Sequence, residues 1–176
     1  MLATTRAADA ASVTGSMPPR PSSNGAAPPA AHAPVVVAET GQGKFLNHVV
    51  VGDHRFLADE PIDVGGFDAG PGPYDLLGAA LGACTSMNLR LYAERKHLPL
   101  DRVIVQVSHA KTHAQDCESC VAGAGPLIDH FQRNIVLKGD LDDEQRTARL
   151  RIADKCPVHR TLEASSHIST TLDTAG

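Results

Sequence analysis

Residues 70–97, GPGPYDLLGAALGACTSMNLRLYAERKH, constrain what this chain can fold into more than any other stretch. Pro73 and Asp75 stand where a helix would start, and Arg90, Arg95 and Lys96 collect where it would end, in the sense the helix dipole favours. Between them Leu76, Leu77, Ala79, Ala80, Leu81, Ala83, Cys84, Met87, Leu89 and Leu91 cover most of the circumference, not one stripe. A helix apolar nearly all round is a buried helix. Gly78 and Gly82, with Ala79 and Ala83, place small residues four apart, so another element can approach closely. Cys84 lies on the line Leu77, Leu81, Cys84, Asn88, Leu91. The pattern therefore predicts a central helix with a thiol in its most protected part.

The rest of the chain is read around that helix. Residues 1–34 are mostly Ala, Pro, Ser, Thr and Gly, the composition of a solvated, disordered tail without the apolar core of a secretory signal. Residues 35–176 remain for one domain, large enough for a single core. Four cysteines in 176 residues do not form a disulfide scaffold; they point to redox, catalytic or metal chemistry in a reducing compartment, hence to the cytoplasm. The domain carries 14 basic and 19 acidic residues, with no basic run, no Trp and few aromatics. Neither a phosphate-tracking patch nor a base-stacking platform is visible, so no nucleic-acid partner is expected. The longest apolar stretch is broken by Gly, Thr, Ser and Asn, short of the roughly 20 residues of a membrane span.

Around the helix, β-branched runs and turn signals predict strands at 35–40, 44–51 and 55–59, then a Gly/Pro-rich loop over 60–73. Alternating Val103, Val105, Val107 and His109 predict a strand running on towards His113, and Phe131, Ile135 and Leu137 another over 131–138. A helix is predicted over 140–154, opened by Asp142 with Gln145 three residues on, and a short one from Pro157 to about Ala164. Ile168, Thr170 and Leu172 alternate in a closing strand over 167–174. The order is that of an α+β domain, with antiparallel sheet and segregated helices.

Two cysteines stand out as a pair. With Pro157 as first helical residue, Cys156 is the N-cap, facing unpaired backbone N–H groups beside Lys155, a setting that favours thiolate. Its plainer alternative is a half-buried cap cysteine. Cys84 alone reads as a small core hydrophobe. Together, a protected attacking thiol and a second sulfur able to trap its sulfenic acid are what a peroxide-reducing dithiol needs. Cys117 and Cys120 form a C-x-x-C after His109, His113 and Asp116, and two imidazoles with two thiolates can make a tetrahedral zinc site. A labile surface disulfide and solvated thiols are the alternatives there. His159 and Arg160 lie within one turn of Cys156, with an exposed polar face as the simpler reading.

The segments GPGPYDLLGAALGACTSMNLRLYAERKHLPL, HAKTHAQDCESC and GDLDDEQRTARLRIADKCPVHRTLE together resemble the OsmC/Ohr superfamily, in its OsmC-like branch, over about residues 44–172. The resemblance implies an intertwined homodimer with antiparallel sheets packed on long central helices and active sites at the subunit interface. It implies a thiol-dependent peroxidase for organic hydroperoxides, working in oxidative stress defence with no required cofactor. Cys84 matches the peroxidatic cysteine and Cys156 the resolving one, so the implied cycle ends in a Cys84–Cys156 disulfide that an external dithiol reduces. In the family a Glu after the Pro of the turn holds an activating Arg. Here Tyr74 follows Pro73, leaving Asp75 for that role and Arg55 as the nearest arginine. Without that pair, the scaffold would instead serve as a small-ligand-binding module or a zinc-holding redox sensor.

Overall fold

The computed structural model describes residues 34–113, 127–164 and 166–172. Strands β1 (Val35–Glu39), β2 (Asn47–Val51) and β3 (His54–Ala58) form an antiparallel meander. Val51 faces His54 across a two-residue loop in which Gly52 has φ +58°, the left-handed conformation that tight hairpins ask of a first loop position. β1 is exposed along its length, and Val49 on β2 is buried. The loop that follows contains one 3₁₀ turn, Ile62–Val64, which its Gly/Pro content had hidden. Asp59, 2% exposed, fastens this loop by accepting from the backbone N–H of Phe67 at 2.8 Å and of Ala69 at 3.3 Å. Burial pushes its carboxyl up, but the N–H groups of Phe67, Glu60 and Ala69 outweigh that and hold it below the usual carboxylate range.

Helix α1 runs from Pro73 to Arg95, 23 residues. Gly72 is the N-cap, and Asp75 reaches back to accept from its N–H at 3.0 Å. At the other end Leu98 N–H bonds the Ala93 carbonyl at 2.9 Å and His97 N–H that of Glu94 at 3.2 Å, the two bonds of a Schellman motif. The motif needs a left-handed residue at His97, whose φ is +51°. Glycine is unstrained there, so His97→Gly is expected to stabilise the fold by about 0.5–1 kcal/mol in urea unfolding. An unchanged or lower midpoint would mean that the imidazole offsets the backbone strain.

β4 (Arg102–His113) and β5 (Leu127–Lys138) pair antiparallel over their full lengths, from Arg102 opposite Lys138 to His113 opposite Leu127. Gly139, with φ +137°, ends β5 where a Cβ would lie 2.1 Å from the Pro99 carbonyl oxygen, so no other residue fits that crossing. α1 lies across β4: Cβ atoms built on Gly78 and Gly82 would rest 3.5–3.6 Å from Val107, which accounts for the small residues on that face. Helix α2 (Asp143–Ala153) starts at Asp142, whose side chain accepts from Gln145 N–H, and helix α3 (Pro157–Glu163) follows directly. Ala93, Leu100 and Leu141 form a core cluster, joined by Leu98, Val103 and Leu137. Arg149 of α2 is 1% exposed, and among the described residues none accepts a hydrogen bond from its guanidinium.

Two expectations are corrected. α1 is not buried all round: Leu81, Thr85, Leu89 and Ala93 face inward, while Leu77, Met87 and Leu91 are 40%, 65% and 52% exposed, and Cys84 sits at the edge of that face. A helix apolar on every side needs two covers, and the described chain supplies one. Residues 166–172 form no strand, and Ile168 and Leu172 are 84% and 87% exposed. Alternation sets which way side chains point but provides no hydrogen-bonding neighbour, and residues 166–172 pair with none of the described strands. The tail and the remainder of the closing segment lie outside the described residues.

Candidate active site

α1 and α3 bring Cys84 and Cys156 together. Cys156 occupies the N-cap of α3 with extended backbone (φ −60°, ψ 130°), and Pro157 locks the first helical position. Its side chain is completely buried, deeper than the half-buried cap expected from the local sequence. Cys84, one helical stripe round from buried Leu81 and Thr85, is partly exposed, and both thiols are free. On its open side Cys84 borders a cavity of about 450 Å³, lined also by Ala80, Ala83, Met87, Asn88, Leu91 and Pro157. The mouth is apolar and the second sulfur lies behind the first.

The pair divides its first negative charge unequally. Burial pushes the Cys156 thiol up, but a hydrogen bond from Cys84, the backbone N–H groups of His159 and Val158, and the Thr85 hydroxyl together hold it below the ordinary thiol value. Cys84 is raised, first by burial and then by the hydrogen bond and charge of Cys156, against a pull from the Val158 N–H. The same N–H thus serves both sulfurs. Of the two thiols, Cys156 is therefore the one its surroundings favour to ionise first.

Three polar residues that local motifs did not single out organise this region. Arg133 of β5 donates to Thr85 Oγ1 at 3.0 Å and the Ala153 carbonyl at 3.1 Å, and its Nη2 pairs with Asp154 Oδ1 at 2.8 Å. Thr85 is fully buried. Asn88 donates to the Ile152 carbonyl at 2.7 Å, tying α1 to the last turn of α2. The sequence does contain a signal for two of them: Arg133 alternates with Phe131, Ile135 and Leu137 on one strand face, and Thr85 lies between Leu81 and Leu89 on one helix stripe. A polar residue inside an apolar period marks a buried partner.

The other sequence candidates fall elsewhere. Asp75 caps α1 and lines a second cleft of about 380 Å³ with Tyr74, Gly78, Gly82 and His109; neither cysteine borders it. Arg55 is exposed on β3 and makes no ion pair or side-chain hydrogen bond with the described residues, so the chain by itself does not assemble an Asp75–Arg55 pair. His109 stacks on Tyr74 with ring centroids 4.0 Å apart, and its Nε2 meets Asp129 Oδ1 at 2.9 Å. That contact, with Lys111 at 3.6 Å from the same oxygen, holds Asp129 below the usual carboxylate range. His113 is exposed at the end of β4, and Cys117 and Cys120 lie outside the described residues. Among the described residues no group of three or more His, Cys, Asp and Glu gathers as metal ligands would. His159, largely covered beside Leu81 and Phe131, pairs with Glu163 at 3.0 Å along α3 and gives Cys156 its backbone N–H. No helix among the described residues is long and apolar enough to cross a membrane.

Comparison with known proteins follows the same lines. A search of curated proteins found no match. The mixed α+β fold with antiparallel sheets recurs in solved structures. An OsmC-like protein from Mycoplasma pneumoniae is similar at TM-score 0.59 and 15% identity over 76% of this chain and 88% of that one. An organic hydroperoxide resistance protein OsmC from Legionella pneumophila is similar at TM-score 0.55 and 17% identity over 74% and 90%. The organic hydroperoxide resistance protein OhrB of Bacillus subtilis follows at TM-score 0.50 and 21% identity over 73% and 90%. The family model described as OsmC-like protein matches residues 66–171, a span that holds α1, the β4–β5 ladder, α2, α3 and both paired cysteines. The chain therefore belongs to the OsmC-like protein family.

Proposed function

We propose that this chain is a thiol-dependent peroxidase that reduces organic hydroperoxides, and that it works as a homodimer in a reducing compartment, the cytoplasm. The observation that carries the reading is the stacking of three features: an apolar cavity, the half-exposed Cys84 thiol at its edge, and the fully buried Cys156 behind it. An apolar mouth favours an alkyl or acyl hydroperoxide over hydrogen peroxide. The relatives named as organic hydroperoxide resistance proteins support the substrate class, and the exposed apolar face of α1 supports a second copy as its cover.

The chemistry follows from the pair. Transfer of the Cys84 proton to Cys156 presents Cys84 as thiolate, which attacks the terminal peroxide oxygen. The O–O bond breaks, the leaving alkoxide takes the proton back from Cys156 and departs as the alcohol, and Cys84 becomes a sulfenic acid beside a Cys156 that is again a thiolate. Cys156 thiolate then attacks the Cys84 sulfur, the S–O bond breaks, hydroxide leaves and is protonated to water, and a disulfide forms. An external dithiol returns both thiols.

The test is one equivalent of an organic hydroperoxide added to dithiol-reduced protein in stopped flow, with the cysteines mapped by mass spectrometry. Rapid peroxide loss with a Cys84–Cys156 bridge is expected. Because the Cys84 thiol is raised, the rate is expected to climb as pH rises through its ionisation and to be low in acid. Intact peroxide with both thiols free would reject the proposal.

A further inference from the structure

The cleft between α1 and β4 takes no part in the thiol chemistry. Its volume of about 380 Å³ lies in the range of small-molecule sites, and Gly78, Ala79, Gly82, Val105 and Val107 give it an apolar floor. Tyr74, Asp75, Ser108 and His109 bring its polar groups. Two of these hold an acceptor that no described donor meets. Asp129, held as a carboxylate, only accepts, so its 2.9 Å contact with His109 uses the Nε2 proton. In the neutral imidazole this fixes the tautomer and leaves a lone pair on Nδ1, which makes no hydrogen bond with the described residues. Asp75 commits Oδ2 to the Gly72 N–H, and its Oδ1 likewise makes no hydrogen bond with them. Tyr74, stacked on His109 with ring centroids 4.0 Å apart and 43% exposed, adds an aromatic surface. No Lys or Arg borders the cleft, and Lys111 is drawn to Asp129, 3.6 Å away.

We propose that this cleft is a second binding site, for a small organic amine: the apolar body rests on the glycine and valine floor, and the ammonium group donates to Asp75 Oδ1 and His109 Nδ1 beside the Tyr74 ring. An ammonium has three protons and a positive charge for two acceptors, one of them a carboxylate, and an aromatic face adds to its attraction. Other ligand classes fit the same groups less well. An anion would meet the Asp75 carboxylate with no lining cation to offset it. A neutral alcohol brings one proton to two acceptors. A metal ion takes four or more ligands, and no group of three gathers among the described residues. Neither cysteine borders the cleft, so the site is independent of the peroxidase reading.

The chain has no tryptophan, so indole fluorescence reports the ligand alone. The test titrates full-length protein at neutral pH into tryptamine, its neutral counterpart tryptophol and the anion indole-3-propionate, and reads fluorescence anisotropy. Tryptamine is expected to saturate, with the other two bound about tenfold more weakly or worse. Asp75→Asn keeps an oxygen for the Gly72 N–H but removes the charge, and His109→Phe keeps a ring against Tyr74 but removes Nδ1. Each is expected to weaken tryptamine about tenfold and to leave tryptophol nearly unchanged. Ala79→Phe, which fills the cleft while leaving both acceptors in place, is expected to abolish binding. Circular dichroism confirms that each variant is folded. The proposal is overturned by a wild type that does not saturate, by equal affinity for the three probes, or by tryptamine binding that any folded variant leaves unchanged. The titration uses no peroxide, so its failure and that of the peroxidase reading are told apart.

Discussion

Cys84→Ser is expected to lower hydroperoxide consumption by about 10³-fold or more, because the Cys156 thiolate is far too weak a base to ionise a serine hydroxyl and a serine cannot form a sulfenic acid. The substitution is nearly isosteric at a partly exposed site, so folding should survive and the loss should appear in the rate alone. Cys156→Ser is expected to behave differently. The first equivalent of peroxide is still reduced, turnover then stops, and mass spectrometry finds Cys84 as sulfenic and later sulfinic acid. The contrast between the two variants assigns the roles, since a pair with exchanged roles would show the opposite pattern. Equal residual activity in both would mean that neither sulfur attacks peroxide.

The second large effect concerns the exposed face of α1. Met87→Glu with Leu91→Glu changes two residues that are 65% and 52% exposed in the described chain, so within one chain the new carboxylates would be solvated. Against a second copy they would be buried without partners, and an unpaired buried charge costs several kcal/mol. The dimer dissociation constant is therefore expected to rise roughly 10³-fold, read as a shift to monomer mass in sedimentation. Peroxide reduction should fall with it, because Met87 and Leu91 line the Cys84 cavity. A variant that sediments unchanged beside wild type would place the interface on another face.

What the sequence made legible was mostly local. Pro73 and Asp75 marked the start of α1, Asp142 that of α2, and the Cys156–Pro157 pair that of α3, because capping is decided within one turn of chain. The end of α1 was less legible: the Schellman residue is His97, where composition leads one to look for glycine. Partnering was the harder matter. The all-round apolarity of α1 predicts cover on every side, but the described chain leaves Leu77, Met87 and Leu91 open. Likewise Ile168 and Leu172 alternate as a strand would, with no described neighbour to make a ladder. The two cysteines were found from their settings, whereas Arg133 reaches Thr85, the neighbour of Cys84, across 48 residues of sequence and shows only as a charge in an apolar strand period. Asp75 illustrates the converse, a candidate for catalysis whose carboxylate is engaged with the Gly72 N–H.

The thinness of the interior has a thermodynamic consequence. Among the described residues the buried apolar side chains are Val49, Leu81, Leu89, Ala93, Leu100, Leu141, Ala153 and Cys156, and three of these are alanine or cysteine. Ordering a chain of this size costs on the order of 100 kcal/mol of conformational entropy, so every further apolar surface removed from water counts towards stability. With the exposed face of α1 covered by a second copy, as proposed, folding and assembly would become one equilibrium whose position depends on how many copies share the volume. Abundance would then itself be a control: a cell that synthesises more of the chain would also make each copy more completely folded.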